Sequence, residues 1–325
     1  MRGMDYIIKR TIFALITVFV AISLNFVLFR AVPGNAVSGL KCLHCTKQFK
    51  EAITKQYGLD KSKWQQYVIY LDRLAHGDLG TSIVDNRPVW DDIKQPLLNT
   101  LPMLVVGTVI SVLLGIFSGV IAAWRRGTKM VDTGNMWTAL TMYAAPTQWI
   151  GLLVVFYIAL PLGLPATGIQ SNTIGFFGSA STFELIRDRA DHLFLPALTL
   201  GIGLYGEYAL IVRSSMLETL GEDYVLTARA KGLPNWAIVW KHGLRNAMLP
   251  LITLIALSFG YIVAGAIVVE DVFSYPGIGL YTIQALDQRD YPVLQGIFLL
   301  LTLAVIAANF LADILYFVYD PRVTS

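Results

Sequence analysis

Between Asn246 and Val269 the chain carries 24 consecutive residues without a charge. As a helix, such a run is about 36 Å long, enough to cross the ~30 Å hydrocarbon core of a bilayer. Inside that core a spanning segment must satisfy its own backbone, which leaves helices and closed barrels. A second run, Thr11 to Phe29, has 19 uncharged residues and ends at Arg30. It is longer than the apolar region of a cleaved signal peptide, about 7–15 residues, and reads as an uncleaved first span. Pro102–Trp124, Met136–Leu160 with Pro146 inside it, Leu193–Val212 and Tyr291–Ala312 are further candidates, and Ala247–Val269 completes the set. Only 14% of residues are charged, against about 25% in soluble proteins. The expectation is an all-α integral membrane protein of about six spans. A net charge of +3 over 325 residues is too small to argue for nucleic acid.

Charge placement orients the chain. With the N-terminus inside, the inner segments hold Lys or Arg at 2, 9, 10, 125, 126, 129, 213, 229, 231, 241, 245 and 322, twelve in all. The two shorter outer loops hold three: Arg187, Arg189 and Arg289. The first outer loop, counted from Arg30, holds ten, but loops of about 60 residues or more largely escape the positive-inside rule. Both termini are therefore expected in the cytoplasm. The partition is 1–30 for the N-terminal tail and first span, 31–96 for an extracytoplasmic loop domain, and 97–325 for the core, with a cytoplasmic loop at 213–246.

The 31–96 segment is too long for a passive connection, because structureless loops beyond about 15 residues are uncommon and usually functional. Trp64, Tyr67, Val68, Leu71, Leu74 and Ala75 recur at helical spacing, and Gly77-Asp78-Leu79-Gly80 ends that stripe. The segment is either a cap packed on the spans or a docking surface for an extracytoplasmic partner, and its length favours docking. It carries both cysteines, Cys42 and Cys45, in KCLHCT. A CxxC pair serves as a redox motif, half a zinc site or a local disulfide. A position outside the cytoplasm favours the disulfide.

Glu222 to Pro250, EDYVLTARAKGLPNWAIVWKHGLRNAMLP, is the one long polar segment with helix logic between two strong spans. Asp223 is a candidate N-cap for a helix over Tyr224–Lys231, with Gly232 and Pro234 as stop signals. A second helix follows, in which Trp236, Val239, Trp240 and Leu244 share one side. Arg229, Lys231, Lys241 and Arg245 add positive charge. The plain alternative is an ordinary basic loop. The other reading is a pair of helices lying across the cytoplasmic mouth and offering a surface to a partner.

Catalytic signatures are missing. No Gly-Lys-Ser/Thr phosphate loop, HExxH or GxSxG turn occurs. Glu207 lies within the fourth span, where a carboxylate is expensive and marks a functional-site hypothesis. It could meet a substrate ammonium or tune a pore, or bond to neighbouring helices. Tyr205 and Tyr208 beside it could line a path or simply pack. Asp313, near the inner end of the last span, reads as a structural pairing. Gly115 and Gly119 have the small-xxx-small spacing that permits close helix approach. Two other classes stay open on these residues: a proton-driven transporter with Glu207 as relay, and a membrane enzyme with the Cys pair as redox centre.

TARAKG with the downstream HxLRNAxxP resembles the EAA coupling loop of ABC-importer permeases, in the form found in dipeptide and oligopeptide permeases. Thr227, Ala228 and Gly232 match the motif, while Leu226 replaces its glutamate. The likeness extends through PGN after the first span, YGLDKSKWQQYVIYL, GDLGTS, RSSMLETLGEDYVLTARAKG, VVEDVFSYPGIG, DYPVLQG and the terminal DPR. It identifies the chain as a B-type permease of the dipeptide, oligopeptide and nickel importers, with the type I permease fold. The cysteine pair is not part of that pattern. The resemblance implies a heterodimer with a homologous C-type permease, two cytoplasmic ATPase subunits beneath it and an extracytoplasmic substrate-binding protein. ATP and Mg would be used by those ATPases, and this chain would bind no cofactor. It also implies that Tyr224, Thr227, Ala228, Arg229, Ala230, Lys231, Gly232, Trp236 and His242 carry ATPase coupling. Dipeptides or short oligopeptides are the default cargo, with nickel, haem and other peptide-like cargo open.

Overall fold

A computed structural model describes residues 2–31, 54, 60–171 and 181–319. Cys42 and Cys45 lie outside the described residues, and so does the expected disulfide. Among the described residues the structure is helical, with an isolated β-bridge between Thr81 and Pro88. Among the described residues, four helices are long and apolar enough to cross a membrane, or up to five if one sharply bent pair counts as a span.

The chain divides into two compact units, residues 1–98 with 277–325, and residues 99–276. The first unit holds α1 (Arg2–Ala31), α2 (Lys63–Ala75), the start of α3 (Val89–Trp124), α9 (Ile278–Gln288) and α10 (Tyr291–Tyr319). Helices α1 and α10 run antiparallel. Arg10 pairs with Asp313 at 3.2 Å, and the Asn25 side-chain amide donates to the Gln295 carbonyl at 3.0 Å. Asp313 thus has the structural pairing its position suggested. Val89, Ile93, Ile278, Ala285, Val293 and Ile297 form the buried core of this unit.

The second unit holds the rest of α3, then α4 (Lys129–Ala144), α5 (Thr147–Leu162), α6 (Thr182–Thr219), α7 (Asp223–Ala230) and α8 (Arg245–Val272). Helices α3 and α6 meet through glycines. A Cβ on Gly115 would sit 2.5 Å from the Tyr208 Cβ, and one on Gly119 would sit 2.7 Å from the Ala209 carbonyl oxygen. The small-xxx-small spacing is used as expected. Val120, Tyr208, Val212, Met216, Val239, Ala247 and Leu251 pack into a core beside this contact.

Three expected boundaries moved. The continuous span Met136–Leu160 is two helices, α4 and α5, bent by 105°. Pro146 explains it: the preceding residue is pushed out of the helical region, and Ala145 is extended at φ −72°, ψ 133°. The fourth span starts at Thr182 rather than Leu193, because Ser181 and Glu184 form a capping box on residues expected in a loop. Likewise α3 begins at Val89, ahead of the apolar run from Pro102.

Candidate functional site

The 222–250 segment folds in two parts. Helix α7 covers Asp223–Ala230, one residue earlier than the spacing suggested. Its N-cap is Glu222 rather than Asp223, and no side chain bonds across the cap. Its end is a Schellman turn: Gly232 N–H donates to the Arg229 carbonyl at 2.9 Å, and Leu233 N–H donates to the Ala228 carbonyl at 3.3 Å. Gly232 sits at φ +74° with open space around a hypothetical Cβ. The demand for glycine there is conformational, not steric.

The second part is not a free helix. Asn235–Ala237 is a single turn that runs into a π-helical stretch, Ile238–Leu244, and on into α8. The wider π turn breaks the expected stripe. Val239 is buried, while Trp236 stays 63% exposed and Trp240 turns outward against Phe117, with ring centroids 5.8 Å apart.

Inside the segment, Val225, Ala228 and Ile238 bury one another, with Leu220 packed alongside. Ala228 is only 5% exposed, and its packing against Val225 and Ile238 helps to seat α7. Tyr224, Leu226, Thr227, Arg229, Ala230, Lys231 and Gly232 form the outward face. Lys241 and Arg245 are also exposed, and His242 is half-buried. The Asn246 side-chain amide donates to the Tyr224 hydroxyl at 2.8 Å, tying α7 to the start of α8. Asn246 belongs to the HxLRNAxxP pattern, but spacing alone did not reveal its partner. A concavity of ≈510 Å³ adjoins the segment, lined by Trp124, Arg126, Leu220, Arg229 and Asn235 among others.

Upstream of the segment, an ion pair joins α6 to α4. Arg213, near the end of α6, makes two hydrogen bonds to Asp132 of α4, at 2.8 and 3.0 Å. Ser118 of α3 donates to the Asn135 side-chain carbonyl at 2.8 Å, three residues further along α4 on the same face. Neither contact was read from sequence, since each joins residues far apart in the chain.

The candidate pathway residues divide. Tyr208 is 1% exposed and packs in the α3–α6 core. Tyr205 and Glu207 are half-exposed, and among the described residues Glu207 has no ion-pair partner. Gly206 permits the approach of α4, since a Cβ there would overlap the Ala139 carbonyl. Among the described residues, no group of three His, Cys, Asp or Glu side chains is placed to hold a metal ion.

A second polar knot lies in the first unit. Asp290 caps α10 and is buried. Its carboxylate accepts from the Ser82 hydroxyl at 2.5 Å and from the N–H groups of Ile83, Val84 and Val293. This joins GDLGTS to DYPVLQG, two stretches quoted above as separate motifs. Nearby, burial pushes the Tyr281 phenol up to about 12, helped by the Asp92, Asp85 and Asp290 carboxylates and opposed by Arg87.

Comparison with known proteins accords with this arrangement. Residues 111–325 match the family model described as binding-protein-dependent transport system inner membrane component, and residues 3–104 match the N-terminal model of such membrane components. The dipeptide transport system permease protein DppB of Escherichia coli (strain K12) is 36% identical, covering 97% of this chain and 98% of its own length. The oligopeptide transport system permease protein AppB of Bacillus subtilis (strain 168) is 35% identical over 98% of each chain. The glutathione transport system permease protein GsiC of Escherichia coli (strain K12) is 34% identical, over 98% of this chain and 99% of its own.

Proposed function

Because the chain belongs to the family of binding-protein-dependent transport system inner membrane components, we propose that it is the B-type permease of an ATP-driven importer of dipeptides or short oligopeptides. The full-length match to relatives named for dipeptide, oligopeptide and glutathione transport carries this reading. All three names describe peptides, so a peptide backbone with its charged termini is the cargo class. Nickel, haem or other peptide-like cargo is the second choice within the same family.

In this reading the chain crosses the inner membrane six times with both termini in the cytoplasm. It pairs with a homologous C-type permease, and the 31–96 region faces an extracytoplasmic substrate-binding protein. Two ATPase subunits bind beneath the permease pair and use ATP and Mg, one of them on the 222–250 surface. The exposed face of α7, with Tyr224, Leu226, Thr227, Arg229 and Lys231, is the part it grips. Val225, Ala228 and Ile238 keep that face rigid, and Gly232 lets the chain turn back beneath it. Closure of the ATPase dimer pushes α7, and α6 carries the push through Arg213 to Asp132 and α4. Alternating access is a switch between discrete packed arrangements, and the bend at Ala145–Pro146 gives α4 freedom to move without α5.

The test is co-purification and uptake. The chain expressed with its partner subunits should retain the ATPase and take up peptide only with ATP. Arg229→Glu combined with Lys231→Glu should lose the ATPase while the chain stays in the membrane. Peptide uptake by the chain alone, driven by a proton gradient, would overturn the reading.

A further inference from the structure

Helix α2 has an apolar stripe wider than the described residues cover. Tyr67, Tyr70 and Leu74 face α1. Tyr67 and Tyr70 stand 5.2 and 5.5 Å from the Phe26 ring. The Tyr67 hydroxyl and Ser23 Oγ share a hydrogen bond at 2.6 Å, and the Asn25 side-chain amide donates to the Tyr70 hydroxyl at 3.4 Å. Leu74 shares an apolar hollow with Val18 and Ile22. The same stripe continues round the helix to Trp64 and Val68, which are 71% and 47% exposed.

The depth of these contacts identifies what meets the uncovered side. Arg30 closes the charge-free run of the first span. Ser23 and Phe26 precede it by seven and four residues, which places them about 6–10 Å further into the bilayer. That is the level, roughly 5–10 Å deep, at which amphipathic helices rest in the boundary between headgroups and acyl chains. Tyr and Trp concentrate at that level because their rings are apolar with a polar edge. Lys61 and Lys63 are exposed at the start of the helix, where their ammonium groups can reach lipid phosphates. On α1 itself, Phe19, Leu24 and Val27 are also exposed apolar side chains.

We infer that α2 is an interfacial helix whose Trp64–Val68 flank is embedded in lipid at the Arg30 end of the first span, with the phospholipid surface as its partner. It stakes the first outer segment to the membrane. Only the remainder of that segment is then free to meet the substrate-binding protein.

Spin labelling separates the possible occupants. The complete transporter, carrying Cys42→Ser and Cys45→Ser, is reconstituted in phosphatidylethanolamine–phosphatidylglycerol vesicles with a label at Val68→Cys. Collisions with oxygen should exceed those with a water-soluble nickel complex several-fold, and adding the binding protein should change neither. A label at Arg73→Cys, exposed and about 140° round the helix from position 68, should show the reverse preference. Free access of the nickel complex at position 68 would overturn the inference. So would loss of both collisions, whether from the start or on adding the binding protein, since a protein would then cover the flank. If Val68→Cys fails to assemble, Ala75→Cys reports on the same side of the helix.

Discussion

At the scale of single residues, position and chemistry separate roles that the motif leaves merged. Gly232 adopts φ +74° in open space, so Gly232→Ala should cost about 1 kcal/mol through left-handed backbone strain alone. Peptide uptake should fall more than membrane abundance, as a paired uptake assay and immunoblot would show. Ala228→Asp forces a charge against Val225 and Ile238 and should release α7 from its seat. Ala228→Ser, nearly the same size, should keep most uptake. Asp290 collects four donors, and Asp290→Ala strands them at a cost of about 1–3 kcal/mol for each buried group left unpaired. A drop in thermal unfolding temperature of the purified complex is the measurement. Tyr281 titrates up to about 12 in the folded protein, against about 10 when unfolded. A raised folded value means its contribution is fully present below pH 10 and is lost as pH rises toward 12. Tyr281→Phe should flatten the alkaline decline in stability over that window. Thr227, Ala228 and Gly232 were legible because their types and spacing form a pattern. Asp290 was not, since an aspartate before an apolar run looks like any helix cap, and its partner Ser82 lies 208 residues away.

At the scale of elements, apolar periodicity located the spans, and local chemistry moved their ends. The run Asn246–Val269 lies within α8, yet that helix is continuous with the π-helical stretch before it. Counting at 3.6 residues per turn cannot anticipate a wider turn. The break at Pro146 was visible as a proline but not as a 105° bend, because proline in a membrane helix is often tolerated with a mild kink. Pro146→Ala should favour a straighter α4–α5 and reduce uptake more than assembly. Distance measurements between labels on α4 and α5 would report the change. The Arg213–Asp132 pair joins α6 to α4 by two charged hydrogen bonds. Removing either partner should cost about 2–3 kcal/mol. The double variant Arg213→Met with Asp132→Leu should recover stability. If the pair transmits movement, it should not recover the ratio of peptide imported to ATP hydrolysed. A double variant with normal coupling would reduce the pair to a structural brace.

At the scale of the whole molecule, family and class were legible from sequence because the motifs run through nearly all of the chain in order. The grouping of residues 1–98 with 277–325 was not, because no local signal tells the first span that its neighbour is the last. The chain carries no ATP-hydrolysing signature of its own, so vesicles holding it alone should import nothing, and uptake should need addition of the ATPases, the second permease and the substrate-binding protein. The antiparallel contact of α1 with α10 has a consequence for biosynthesis. Helix α1 leaves the ribosome before α10, and the residues that receive Asn25 and Arg10, Gln295 and Asp313, are made roughly 260–280 positions after Ala31. At 5–20 residues per second that is a wait of roughly 13–50 s. Throughout that wait the founding helix drifts in lipid without its mate, so a message cut short before codon 291 should yield a protein recognised by quality-control proteases.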